Sequence, residues 1–332
     1  MSRLEKFNAE IKPSILKPQM HKLSLFSEYL DMLDNNDFYN ANVYIEIPGQ
    51  FESTQSQLCE PIPSKNVKIA SIKKELLILG SIKRPKRITV HGSNEKDYHL
   101  LIKGGEDLRL DQRVQQLFSI MNKIFKEDPT CLNREIYLKT FSVTPMTNRL
   151  GALEWVDNTE PLKALINREH SRLENGRSLS ESRAQTALMK WLKELPINKN
   201  NKNVTAQATS LLNVSGEDII DGFNRHTKLM RWNLLRNGLE NLCLTSAAFI
   251  TIKNQFIKSM ATFSIASYLI GVGDRHLENF LVDTTDGEVF GIDFGIAFGS
   301  GVQLAVPELM PFRLTQQIEG VIAPHPLEGA YK

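Results

Sequence analysis

Apolar residues change their period along this chain, and the change divides it. Between 23 and 33 they fall at Leu23, Leu25, Phe26, Tyr29, Leu30 and Leu33, the stripe of a helix, and residues 1–45 read as a mostly helical lead-in. Asn35-Asn36-Asp37 breaks that pattern, and Ile47-Pro48-Gly49-Gln50 is a turn signal. From 46 to 156 the chain is mostly strand-like. Runs at 67–70, 75–79, 87–90, 98–102 and 136–143 alternate or are β-rich, and Pro145 ends the last of them. One helix interrupts the series at 106–125, with Leu110, Val114, Leu117, Phe118, Met121 and Phe125 at helical spacing.

From 157 onward helix returns. A helix starts at 162–166. Another spans 184–195, with Ala187, Leu188, Trp191 and Leu192 on one face and Pro196 as its stop. Residues 198–203 are a Lys/Asn-rich loop, and 219–243 and 247–269 are two more helical segments. Then Phe280-Leu281-Val282 reads as a strand, Asp286-Gly287 as its hairpin turn, and the run from Val289 as the return strand. The stretch 296–315, with Gly299, Gly301, Pro307 and Pro311, is long and irregular, as an activation or substrate loop would be.

Composition narrows this picture only slightly. A chain of 332 residues has room for about two lobes, and a net charge of +2 argues neither for nor against nucleic acid. No apolar run approaches the ~20 residues of a membrane span, and residues 1–12 lack the apolar core of a signal peptide. Cys59, Cys131 and Cys243 are far apart and odd in number, which fits reduced thiols in a cytosolic or nuclear protein.

The chemistry concentrates at the predicted hairpin. Gly273-Asp274-Arg275-His276-Leu277-Glu278-Asn279 is a polar loop just before it, and Asp293-Phe294-Gly295 follows it, so the hairpin can bring Asp274, Asn279 and Asp293 to one point. Phosphoryl transfer needs that set: one carboxylate to accept the proton of an attacking hydroxyl, and a carboxylate with an amide oxygen to hold magnesium. Asp274 and Asn279 are five positions apart, the kinase spacing of base and metal-binding Asn, and Asp-Phe-Gly carries the other metal ligand.

Three features upstream add to it. Gly80-Ser81-Ile82-Lys83-Arg84-Pro85-Lys86 is a turn between two strands that can lay N–H groups and the Ser81 hydroxyl against phosphates, the rival reading of 83–87 being a nuclear localisation patch. Lys103 ends a strand, a costly position unless it is paired or faces phosphate, and the next helix offers Glu106, Asp107 or Asp111 as partner without deciding among them. Trp155 leaves the sheet before Asp157-Asn158. It is either core or the face on which an adenine stacks with Val156 backbone groups reading the base edge; beside Lys103 and Asp293 the adenine reading is preferred.

The letters Asp-Arg-His, reversed from the common His-Arg-Asp, followed by DFG, resemble the phosphatidylinositol 3-kinase-related protein kinases. The resemblance runs over 47–315. It is densest in GSIKRPKRI, IKGGEDLR, GDRHLENF, GIDFGIAFGS and VPELMPFRLT, and weakest between 162 and 247. It implies an α+β fold of two lobes, with an antiparallel-sheet N-lobe at 46–156 and a helical C-lobe at 157–332. It implies Asp274 as catalytic base, His276 assisting at the transferring phosphoryl group, and Asn279 and Asp293 as magnesium ligands. Lys103 would contact the ATP phosphates, Ser81 would lie over them, and Trp155 with Val156 would bind adenine. The implied activity is that of a nuclear serine/threonine kinase of the DNA-damage-response type, using ATP and Mg2+ on protein sites with Ser or Thr before Gln. Its DNA-end-binding partners would be recruited through regions outside this chain, with no membrane and no direct nucleic-acid site here.

Leu110 departs from the family's GEDLRQD, and Ile296 follows DFG where His is usual. The chain stops at Lys332, soon after the activation loop, where family members continue, so a truncated fragment is expected. Two alternatives stand beside the protein kinase: a lipid (phosphoinositide) kinase, and an inactive kinase-fold fragment acting as a binding module. Between 296 and 315 the only basic residue is Arg313, which disfavours an anionic lipid.

Overall fold

A computed structural model of the chain describes residues 18–32, 45–50, 65–177, 179, 182–195, 214–304, 307–308, 310 and 312–324. Two compact units emerge: Met1–Ser119 with Thr140–Asp157, and Ile120–Lys139 with Asn158–Lys332. Asn35-Asn36-Asp37, Cys59 and the 198–203 loop lie outside the described residues.

In the first unit seven strands form one antiparallel sheet: β1 (Gln19–Lys22), β2 (Ile69–Ile72), β3 (Glu75–Ile78), β4 (Lys86–Gly92), β5 (Asp97–Gly104), β6 (Val143–Thr147) and β7 (Leu150–Glu154). Their order is β1-β3-β4-β5-β7-β6, with β2 also paired to β4. Alternation turns Leu76, Ile78, Val90 and Leu100 into a core with Leu23, Ile47 and Ile72. Each such side chain contributes ~1.5–3 kcal/mol when fully buried.

Two expectations for 23–33 and 136–143 are corrected. The stripe 23–33 is not one helix. The chain pairs as β1 first, turns through a 3-10 segment at Leu23–Leu25, and enters a helix, α1 (Glu28–Met32), only after that, with Leu33 outside the described residues. The Leu23 N–H goes to the Lys74 carbonyl, which continues the strand's edge instead of a helical ladder. The run 136–143 is not a strand up to Val143. Asn122 takes both backbone groups of Leu138, at 2.8 and 2.7 Å, and Gln115 Oε1 accepts the Phe141 N–H at 3.1 Å, so side chains of α2 (Arg109–Glu127) replace a neighbouring strand. The strand begins at Val143 and includes Pro145, which an edge strand such as β6 tolerates.

The second unit is helical around a three-stranded sheet. Its helices are α3 (Pro129–Asn133), α4 (Leu162–Leu173), α5 (Arg183–Glu194), α6 (Gly216–Thr227), α7 (Leu234–Glu240), α8 (Ser246–Ile270) and α9 (Gln316–Ile322). The single segment expected at 219–243 is two helices, α6 and α7, separated by turns at 228–233. The sheet runs β10 (Val289–Gly291), β9 (Phe280–Asp283), β8 (Thr159–Pro161), all antiparallel. Leu162, Leu165, Leu234, Leu235, Leu239, Phe256, Met260 and Ile318 are fully buried and form its core. No helix among the described residues is long and apolar enough to cross a membrane.

Candidate active site

In the first unit, β5 carries Lys103 to its end, where its ammonium lies 3.7 Å from Glu106 Oε1. Lys83 approaches the other oxygen, Oε2, at 2.8 Å, so one carboxylate sits between two ammonium groups. Of the three acids offered by sequence, Glu106 is thus an ion-pair partner of Lys103. Asp107 caps the helix start by accepting from the Arg109 N–H and guanidinium, which holds its carboxyl below the usual range, and Asp111 is buried.

Ser81 is exposed in the turn joining β3 to β4, which is closed by the Leu79 N–H on the Pro85 carbonyl and the Arg84 N–H on the Ser81 carbonyl. Burial pushes the Lys86 ammonium below its ordinary value, and Lys86 and Arg87 are in β4, so the basic run 83–87 is partly built into the sheet. Trp155 follows β7, its N–H bonded to the His99 carbonyl at 2.9 Å. The indole is half-buried, with the Arg87 guanidinium 5.2 Å from its ring centroid, and Val156 beside it is also half-buried.

In the second unit, α8 ends at Gly271, a left-handed cap with φ 68°, and delivers the chain to Gly273. A Cβ on Gly273 would come within 2.8 Å of Ile296 Cγ2, which is why glycine precedes Asp274. The Gly273 N–H bonds the Ile296 carbonyl at 2.9 Å. Asp274 itself has φ 55° and Asp293 φ 59°. Residues other than glycine held there cost ~1–3 kcal/mol each, so both carboxylates are carried on backbone that the surroundings must enforce.

The surroundings do so by hydrogen bonds. The Asn279 amide donates to the Asp274 carbonyl at 2.9 Å, and the Ile292 N–H donates to the Asn279 carbonyl at 3.0 Å, one residue before Asp293. Glu308 accepts the Asp274 N–H at 2.6 Å. Arg275 is buried, and its guanidinium bonds the carbonyls of Gly273, Asn279, Ile292 and Asp293. His276 is exposed, and its Nδ1 accepts the Glu278 N–H, so in the neutral ring the proton sits on Nε2. Asp274, Asn279 and the backbone before Asp293 are therefore one bonded set, and His276 lies on the same loop.

Asn279 is buried and gives its Nδ2 to Asp274, which turns its Oδ1 into the end available as a ligand; Asp293 presents an exposed carboxylate. An amide oxygen and a carboxylate suit a hard divalent cation. Cys131 and Cys243 are free, with burial raising both thiols above their ordinary value, which fits unreactive side chains.

Two features were not foreseen. Lys139 lies 2.8 Å from Asp283 and 3.4 Å from Glu288, at the two arms of the hairpin, with its ammonium 5.4 Å from the Phe290 centroid. Glu308, in PELMPFRLT, reaches back 34 residues to Asp274. Neither pairing leaves a local pattern, because the partners are far apart in sequence.

An antiparallel-sheet unit with a paired lysine at a strand end, and a helical unit holding DRHLEN and DFG about one hairpin, define a kinase fold of the α+β class. The family described as Phosphatidylinositol 3- and 4-kinase matches residues 97–332, and the chain belongs to that family. The DNA-dependent protein kinase catalytic subunit of Dictyostelium discoideum is 38% identical over 324 residues, 96% of this chain and 7% of that protein. That of Canis lupus familiaris is 39% identical over 282 residues, 84% of this chain and 7% of that protein. A solved structure of the open conformation of CtTel1 matches with a TM-score of 0.74 at 25% identity, covering 99% of this chain and 11% of that one. The chain thus spans about 7% of the length of these curated relatives.

Proposed function

We propose that the chain is the catalytic domain of an ATP- and Mg2+-dependent serine/threonine protein kinase, of the kind its DNA-dependent relatives are named for. The observation that carries this reading is the bonded set at the hairpin: the Asn279 amide on the Asp274 carbonyl, and the Ile292 N–H, just before Asp293, on the Asn279 carbonyl. Asp274 accepts the proton of the attacking Ser or Thr hydroxyl as that oxygen bonds the γ-phosphorus and the bond to ADP breaks. Asn279 and Asp293 would hold magnesium, which when bound neutralises charge on the phosphates. Lys103 contacts the phosphates with Glu106 orienting it, Ser81 lies over them, His276 donates from Nε2 to the transferring group, and Trp155 with Val156 receives adenine. A positioned base contributes roughly 10²–10⁴-fold, and the rest of the acceleration is positioning and charge stabilisation.

The finer reading is a nuclear kinase acting in repair of DNA double-strand breaks on Ser/Thr-Gln sites, its DNA-end-binding partners engaged by other parts of the polypeptide. Similarity to the DNA-dependent kinases supports it, as does the single basic residue, Arg313, in 296–315, too few charges for a phosphoinositide headgroup. The test is transfer of radiolabelled phosphate by the full natural chain to three acceptors: a Ser-Gln peptide, the same peptide with Ser-Ala, and phosphatidylinositol vesicles. Preferred labelling of Ser-Gln is expected. Preferred labelling of lipid would replace the reading with a lipid kinase, and no labelling of any acceptor with intact ATP binding would leave the binding-module alternative.

A further inference from the structure

Arg275 is 5% exposed, and its position among backbone carbonyls has a specific geometry. Nε donates to the Gly273 carbonyl at 2.9 Å, one Nη to Ile292 at 2.9 Å and Asn279 at 3.4 Å, and the other Nη to Asp293. Two of these carbonyls belong to the loop of Asp274 and Asn279, and two to the segment of Asp293. The carbonyl of Gly273 immediately precedes Asp274, and the carbonyl of Asp293 is its own. Both aspartates have left-handed backbone, at φ 55° and 59°, so the guanidinium ties the chain beside two strained positions. The planar group lies 5.1 Å from the Phe294 ring centroid, which fixes its plane. A Cβ on Gly291 would come 3.2 Å from an Arg275 Nη and 2.2 Å from Phe263, so the neighbouring strand is kept clear of side chain there.

We propose that Arg275 is a positioning residue for the metal site: its guanidinium sets the register between the Asn279 loop and Asp293, so that amide oxygen and carboxylate meet one divalent cation. The inference rests on the reading of Asn279 and Asp293 as metal ligands. Only a planar fork with donors on three nitrogens serves four carbonyls on two segments. A lysine keeps the charge but presents its donors from one point. Loss of the fork leaves buried carbonyls without their donor and frees the backbone at both aspartates.

The test compares wild type, Arg275→Lys and Arg275→Ala in the full natural chain. Mn2+ binding in the presence of a non-hydrolysable ATP analogue is followed by electron paramagnetic resonance. Metal-free nucleotide affinity, thermal midpoint and the Mg2+ dependence of kcat are measured beside it. Expected for Arg275→Lys are a loss of Mn2+ affinity of tenfold or more and a raised Mg2+ requirement, with metal-free nucleotide affinity within twofold of wild type. Added guanidinium or methylguanidinium should restore part of the Mn2+ binding of Arg275→Ala and none of that of Arg275→Lys. Wild-type Mn2+ affinity in Arg275→Lys would overturn the proposal. So would parallel loss of thermal midpoint, nucleotide and metal without rescue, which marks a purely structural residue. A wild-type chain that binds nucleotide but no Mn2+ would overturn the metal reading itself, and the proposal with it.

Discussion

The Glu308 carboxylate accepts the backbone N–H of Asp274 at 2.6 Å. Glu308 is held in turn by its own N–H on the Gly301 carbonyl, and both residues stand close to Gly273. The segment after DFG is thereby fastened to the backbone of the proposed base. A hydrogen bond to a charged group contributes ~1.5–3 kcal/mol. Glu308→Ala should therefore lower kcat for peptide phosphorylation by roughly 10–100-fold with little change in ATP affinity. Glu308→Gln keeps an acceptor oxygen and should lose less. Equal, wild-type rates in both variants would show that this contact has no part in holding Asp274.

On the proposed reading, Asp274 should separate chemistry from binding. Its carbonyl and N–H are held by Asn279 and Glu308, so a change confined to the carboxylate leaves those bonds intact. Asp274→Asn should spare ATP affinity while single-turnover transfer falls by roughly 10²–10⁴-fold, the pattern of an interaction made only in the transition state. If affinity and transfer fell together, Asp274 would be a metal-site or structural residue and the base would lie elsewhere.

Trp155→Ala should weaken nucleotide binding by ~1–3 kcal/mol, the range for loss of one base–aromatic stack. The half-buried indole with Arg87 at 5.2 Å makes Arg87 a second probe. Removing the guanidinium, as in Arg87→Met, should cost less affinity than removing the ring. Isothermal titration with ATP and with GTP reads both; an unchanged ATP affinity in Trp155→Ala would return this residue to the core.

The sequence was legible where structure is local. The short β-rich run over 98–102 and the long apolar run over 247–269 correspond to β5 and α8, because run length and residue type there favour one element locally. It failed where a backbone finds a distant partner. The run 136–142 has the residues of a strand, but Asn122 and Gln115 supply its hydrogen bonds from a helix face that pattern alone assigns to solvent. Strands β1 and β8 have four and three residues, too short for a period, and exist because β3 and β9 pair with them. At the candidate site the spacing of Asp274, Asn279 and Asp293 was visible, since it is set by one loop and one hairpin. The left-handed backbone at both aspartates, the four-carbonyl seat of Arg275 and the reach of Glu308 depend on tertiary contacts, and no local spacing encodes them.

The Lys139–Asp283–Glu288 group gives a prediction with a sign for each acid. Burial pushes the Glu288 carboxyl above its ordinary value, only partly offset by Lys139. Burial also acts upward on Asp283, but the bonds from Lys139 and Thr285 outweigh it and hold that carboxyl below its ordinary value. A raised acid binds its proton more tightly in the folded state, so from the unfolded pKa of about 4.5 upward Glu288 lowers stability as pH rises, until its folded value is passed. A lowered acid does the opposite: the contribution of Asp283 is present above its unfolded value of about 3.8 and is lost as pH falls through the folded one. Glu288→Gln keeps an oxygen for Lys139 and removes the buried charge, so its thermal midpoint should equal or exceed wild type at pH 7, with the difference shrinking toward pH 4. Asp283→Asn strips Lys139 of its charged partner at 2.8 Å and should cost ~1–3 kcal/mol at pH 7, with the gap to wild type narrowing only below about pH 4. Thermal melts of the three proteins from pH 3 to 8 measure both trends. A Glu288→Gln variant destabilised at pH 7 as much as Asp283→Asn would mean that Lys139 draws on the two carboxylates equally, and that the hairpin is held by a charge triad instead of the Lys139–Asp283 pair.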